Sequence, residues 1–108
     1  MSELVNRLCE GQHPVEVSLR PNRTVGALKE SLDRGYVHVK FTNTRGGTEL
    51  GFEVDRQRTD VGRADFVGET GRLTLAGVLT LDYVKVRCLA EVELPSLQGY
   101  GRLERVAP

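Results

Sequence analysis

No apolar run in this chain approaches the ~18 residues that a membrane-spanning helix requires. Met1 to Gly11 contains no cationic stretch followed by an apolar one, so no secretory signal is expected there. Only two cysteines occur, Cys9 and Cys88, far apart and without the spacing of a disulfide framework. A reducing compartment, the cytoplasm, is therefore expected. Net charge is missing as well: 15 Lys and Arg balance 15 Asp and Glu. Nucleic-acid binding by the chain as a whole is disfavoured, because such domains carry a clear basic excess. No internal repeat and no low-complexity tract interrupts the 108 residues.

What is present suits one globular domain spanning 1–108. The apolar fraction is 39% and the charged fraction 28%, enough to build a core without a metal or a disulfide. Ser2 to Cys9 places Leu4, Val5 and Leu8 on one helical face, but it is short for an independent helix. It reads as a short helix or a docked arm. Pro14 to Arg20 alternates, with Val15, Val17 and Leu19 opposite Glu16, Ser18 and Arg20, which is the pattern of a half-buried strand. Pro21 and Asn22 break it. Thr24 then offers an N-cap, Val25, Leu28 and Leu32 share one helical face, and Gly35 suits a left-handed helix end. One short amphipathic helix over about 24–34 follows.

Tyr36 to Thr42 and Thr48 to Val54 alternate around Asn43-Thr44-Arg45-Gly46-Gly47, a β-hairpin signature. Residues 55–71 form a long polar break in which Phe66-Val67 is expected to pin the middle to the core. The last third is nearly continuous strand. A parity switch at Asp82-Tyr83 marks a bulge or a tight reversal, and Pro95-Ser96 marks a turn. Gly77, Gly99 and Gly101 share parity with inward residues, which predicts strong curvature. The expected fold is α+β, predominantly antiparallel β: a strongly curved sheet or partial barrel of about six strands, with the short helix after the first strand.

Few motifs point to chemistry. Two Cys and two His could compose a zinc site, but His38 and Cys88 stand alone on separate strands, so no metal is expected. Cys88 reads as a buried, inert core residue rather than a nucleophile. Gly46-Gly47 and Gly99-Tyr100-Gly101 lack the strand–loop–helix setting of a phosphate cradle. Asp55, Asp60, Asp65 and Glu69 are interleaved with Arg56, Arg58 and Arg63, unlike a calcium loop. No cofactor is expected.

One pattern suggests a surface. Each tyrosine shares a strand face with cations: Tyr36, His38 and Lys40; Tyr83, Lys85 and Arg87; Tyr100 and Arg102. Were the three strands neighbours, the sheet would offer an aromatic, basic face for an anionic ligand. Against it stand the general preference of tyrosine for strands and the dilution by Glu91, Glu93 and Glu104. The leading functional expectation is a non-catalytic interaction or accessory domain that self-associates or binds a protein partner. A small-molecule binder using the space left by inward glycines comes second. A cofactor-free enzyme of cyclase or isomerase type, with His38, Tyr36, Tyr83 and the nearby Glu residues as acid–base groups, comes third.

Overall fold

The structure is a computed structural model that describes residues 3–19 and 22–106. Ser2, Arg20 and Pro21, which entered the expectations for the first helix and first strand, lie outside the described residues. The chain runs α1 (Glu3–Cys9), β1 (His13–Val17), α2 (Val25–Arg34), β2 (Tyr36–Phe41), β3 (Thr48–Glu53), β4 (Ala64–Asp65), β5 (Thr70–Leu81), β6 (Val84–Glu93) and β7 (Gln98–Arg105). The strands form one antiparallel sheet in the order β3-β2-β1-β7-β6-β5-β4, curled into a half-barrel.

Two helices are described where one was expected. The added one, α1, is seven residues long and survives because it is docked: Val5 and Leu8 are fully buried in the common core. The side chains of Asn6 and Arg105 tie it to the end of β7, and Arg7 Nη2 donates to the Asn43 carbonyl at 3.0 Å. α2 has the signals read from its sequence. Thr24 Oγ1 accepts from the Ala27 amide at 3.1 Å, and Gly35 takes φ 84° while its amide donates to Ser31 and Leu32. Arg56 Nη2 adds a bond to the Leu32 carbonyl at 3.0 Å, so the long segment also ties down the helix end.

Strand register follows burial. Val37, Val39 and Phe41 point inward from β2, and Tyr36, His38 and Lys40 point out. Slipping β2 by one residue would exchange the two sets and expose three apolar side chains that each contribute ~1.5–3 kcal/mol when buried. The inward residues of every long strand join Val5, Leu8, Val25, Leu28 and Leu32 in a single core. Asp82 (φ 49°) and Tyr83 (φ 66°) form a two-residue turn between Leu81 and Val84, so the parity switch is a hairpin reversal and not a bulge.

Residues 55–71 are stapled down, with the two-residue β4 as the strand beyond the six or so expected. The Asp55 amide donates to the Ala76 carbonyl at 2.7 Å, Asp60 and Thr74 form an antiparallel bridge, and the Arg72 amide donates to Arg63. Each recurring aspartate closes its own turn. Asp55 accepts from the Gln57 amide, Asp60 from Gly62, and Asp65 from both Val67 and Gly68. Phe66 packs against the core as expected, but Val67 does not: it is 96% exposed, because the Asp65 turn directs it outward.

Curvature closes the sheet toward itself at Gly77. A Cβ there would overlap the Phe52 ring and the Glu53 carbonyl oxygen, so β5 touches β3 only because this residue has no side chain. Gly77→Ala should therefore destabilise the protein by about 1–3 kcal/mol in urea denaturation, whereas Thr80→Ala on the outer face should stay within about 0.5 kcal/mol. Equal effects at the two positions would contradict this packing.

Candidate functional site

The strand order separates the tyrosine-bearing strands. β1 lies between β2 and β7, so Tyr36, His38 and Lys40 are remote from Tyr100 and Arg102. Tyr83 is in the β5–β6 turn and not on a strand face. Lys85, Arg87, Tyr100 and Arg102 do come together, on the outer face of the adjacent β6 and β7. No continuous aromatic, basic surface results.

The outer face reads as rows across β5, β6 and β7, set by register. Thr80 lies beside Lys85. Next come Val78, Arg87 and Glu104, then Ala76, Leu89 and Arg102. Thr74, Glu91 and Tyr100 follow, with Pro14 of β1 alongside. Last come Arg72, Glu93 and Gln98, with Glu16 alongside. Arg87 Nη1 donates to Glu104 at 2.8 Å, and Arg102 Nη2 lies 3.5 Å from the same carboxylate. At the other end, Arg72 spans two carboxylates, Glu91 and Glu93, at 2.9 Å each. Glu16 pairs with Arg23 at 2.6 Å. The Arg72, Arg102 and Arg23 pairs are exposed or half-exposed and each contributes only ~0–1 kcal/mol, whereas the Arg87 side chain is mostly buried and its Nε has no hydrogen-bond partner among the described residues. Lys85, Arg87 and Arg102 lie near the β5–β6 turn together with Asp82 and Glu104, while Glu16, Glu91 and Glu93 surround Arg72 at the opposite end.

A groove of about 750 Å³ lies over that acidic end, lined by Pro14, Glu16, Arg72, Glu91, Glu93 and Tyr100 among others. Tyr100 forms an exposed aromatic wall. A second groove, of about 420 Å³, runs between α2 and the outer side of β2 and includes Ser31, Arg34 and His38. His38 is exposed at its rim and meets Tyr36 edge-on, with ring centroids 5.2 Å apart. It is not enclosed in the water-poor cleft that acid–base catalysis requires.

The inward glycines leave no ligand space. A Cβ on Gly99 would overlap the Glu91 carbonyl, and one on Gly101 would lie 2.9 Å from the Leu89 carbonyl. Like Gly77, they permit close backbone approach and do not open a cleft. His13 entered the sequence reading only as one of the two histidines of a rejected zinc site. It is buried, its Nε2–H donates to the Glu10 carbonyl at 2.8 Å, and its Nδ1 accepts from Asn43 at 3.0 Å, so it clamps α1 to β1 and the β2–β3 turn. The groove carboxylates Glu16, Glu91 and Glu93 were read as outward residues, but not as a group, since their proximity depends on strand order.

Among the described residues no three His, Cys, Asp or Glu side chains gather as a metal ion would need, and no helix is long and apolar enough to cross a membrane. The chain matches no protein-family model and no curated protein sequence.

Cys88 lies in the core, where desolvation by burial pushes its thiol from 9.0 up to about 12. The folded value exceeds the unfolded one, so its contribution to stability is complete below pH 9 and declines as pH rises toward 12. Wild type should therefore lose stability over that window with a component approaching about 1.4 kcal/mol per pH unit, and Cys88→Ala should lack it. Identical slopes in pH-dependent denaturation would show that the thiol ionises without opposing the fold.

Proposed function

We propose that this chain is a small non-catalytic interaction domain of the cytoplasm that binds a protein partner or a second copy of itself. The observation that carries this reading is Tyr83. A two-residue turn with both residues at positive φ favours Asn and Gly, and a bulky side chain there costs on the order of 1 kcal/mol. The Tyr83 ring is fully exposed, so nothing within the chain offsets that cost by burial. A tyrosine held out on a strained tip gains contact area only from another molecule, and tyrosine is among the residues that dominate binding energy at interfaces. Val67, displayed on a turn fixed by Asp65, is a second solvent-facing apolar side chain on a held backbone. The catalytic and interior-ligand readings have less support, given an exposed His38, a thiol pushed upward and glycines pressed against neighbouring strands.

A photo-reactive phenylalanine analogue at position 83 should yield a discrete protein adduct when irradiated in the producing cells. The same analogue replacing the exposed Lys29 on α2 provides the comparison. Adduct formation no greater at 83 than at 29 would remove the reading. Tyr83→Asn should at the same time raise thermodynamic stability by about 0.5–1 kcal/mol, through relief of the left-handed strain.

A further inference from the structure

We infer that the uncovered stretch of the β5 edge, Val78 to Leu81, takes up an extended segment of another protein as an added strand. The inference rests on the interaction-domain reading and names the form of its partner.

Strand register fixes which backbone groups are free. The Gly71 carbonyl accepts from the Leu94 amide across the β5–β6 pair, so the odd-numbered residues of β5 bond to β6. The even-numbered residues turn their amides and carbonyls the other way, toward the sheet edge. There the Arg72 amide donates to the Arg63 carbonyl, and Thr74 exchanges two bonds with Asp60 at 2.9 Å each. The Ala76 carbonyl accepts from the Asp55 amide at 2.7 Å, and the Ala76 amide donates to Thr59 Oγ1 at 3.1 Å. The cover ends at that point. The edge-facing groups of Val78 and Thr80 have no partner among the described residues.

Side chains do not guard this edge either. Leu73 to Leu81 contains no charged residue and no proline, two of the devices by which edges resist strand addition. The opposite edge of the sheet differs, since β3 carries Glu49 and Glu53. Residues 55–63 protect β5 as far as Ala76, and beyond it the backbone is left as a template. An extended segment is the ligand that matches alternating donors and acceptors on a strand edge. Val78 on the outer face, and Leu79 and Leu81 on the inner, are half-buried, so the added strand gains apolar contact on both faces. At about 3.4 Å per residue the free stretch spans roughly 14 Å, the reach of a short linear motif. A segment running on past Leu81 passes the exposed Tyr83.

A free segment suits this edge better than a second copy does. Pairing two β5 edges antiparallel brings each Asp82-Tyr83 turn up against the other copy's residues 55–59, which already hold the edge as far as Ala76. A peptide carries no such cover.

Amide NMR titration of the full chain tests the proposal. The probe is a synthetic peptide of alternating valine and threonine, about seven residues long, with a terminal lysine for solubility. At saturation the Val78 and Thr80 amides should shift, and should exchange with solvent at least about tenfold more slowly. The same peptide with every backbone amide N-methylated should bind at least about tenfold more weakly, because it has no donors for the edge. Thr80→Pro removes an edge-facing N–H and leaves the bonds between β5 and β6 in place, and it should weaken the unmodified peptide to a similar degree. Far-UV circular dichroism and thermal melting check that this variant folds; the methylated peptide decides the matter independently of it.

No change at Val78 and Thr80 up to about millimolar peptide overturns the proposal, the weakest affinity of a specific contact being of that order. Undiminished binding of the methylated peptide overturns it equally. So does a wild-type dimer in sedimentation that Thr80→Pro dissolves, since the occupant would then be a second copy. Failure of the interaction-domain reading is a separate result. A position-83 adduct that forms as readily with Thr80→Pro as without it leaves that reading standing while strand addition falls, whereas no adduct at all removes the reading itself.

Discussion

The approach of β5 to β3 at Gly77 is the contact on which the rest of this structure depends. A single sheet has two faces and must bury one of them. Here no second sheet is present among the described residues, and the two helices supply only five of the buried apolar side chains, Val5, Leu8, Val25, Leu28 and Leu32. Curling brings the inward residues of β3 and β5 around those helices, and it requires a backbone position where Phe52 and the Glu53 carbonyl can sit directly against the neighbouring strand. The bond from the Asp55 amide to the Ala76 carbonyl fastens the same seam.

Two consequences follow from the seam. The interior becomes a packed core, so any recognition falls to the outer face, the grooves at its margins and the segments that stand clear of it. Beyond Gly77, moreover, β5 and β6 continue as a hairpin to Tyr83, contributing to an elongated shape of 43 × 28 × 24 Å. The fold thus carries a projecting tip at one end of the outer face and a groove at the other. Lys85, Arg87 and Arg102 lie near the tip with Asp82 and Glu104, and Glu16, Glu91 and Glu93 lie around the groove.

Local signals were readable from the chain, and non-local ones were not. Thr24 and Gly35 delimit α2 because capping is decided within a few residues. Tyr36 to Val54 is recognisable as a hairpin for the same reason, with Gly46 and Gly47 taking positive φ in the turn. The pairing of β1 with β7 joins Val15 to Gly99, and no local pattern encodes a contact across that separation. Without it, the strands bearing Tyr36 and Tyr100 could be imagined as neighbours, when β1 in fact divides them. The outward parity of His38, Lys40, Lys85, Arg87 and Arg102 was legible, while their grouping was not. The helix α1 was legible as a pattern but undecided as structure, since its stability comes from docking onto β7. Val67 was misassigned because the Asp65 turn, and not hydrophobicity, sets its direction.

Native-state hydrogen exchange of the Asp55 amide tests the closure of the half-barrel most directly. If the seam is integral to the fold, this amide opens only with the central strands and shares the protection of the Ala90 amide in β6. Exchange of Asp55 at the rate of a fraying loop, with β1, β6 and β7 still protected, would mean that the sheet is stable without closing at Gly77.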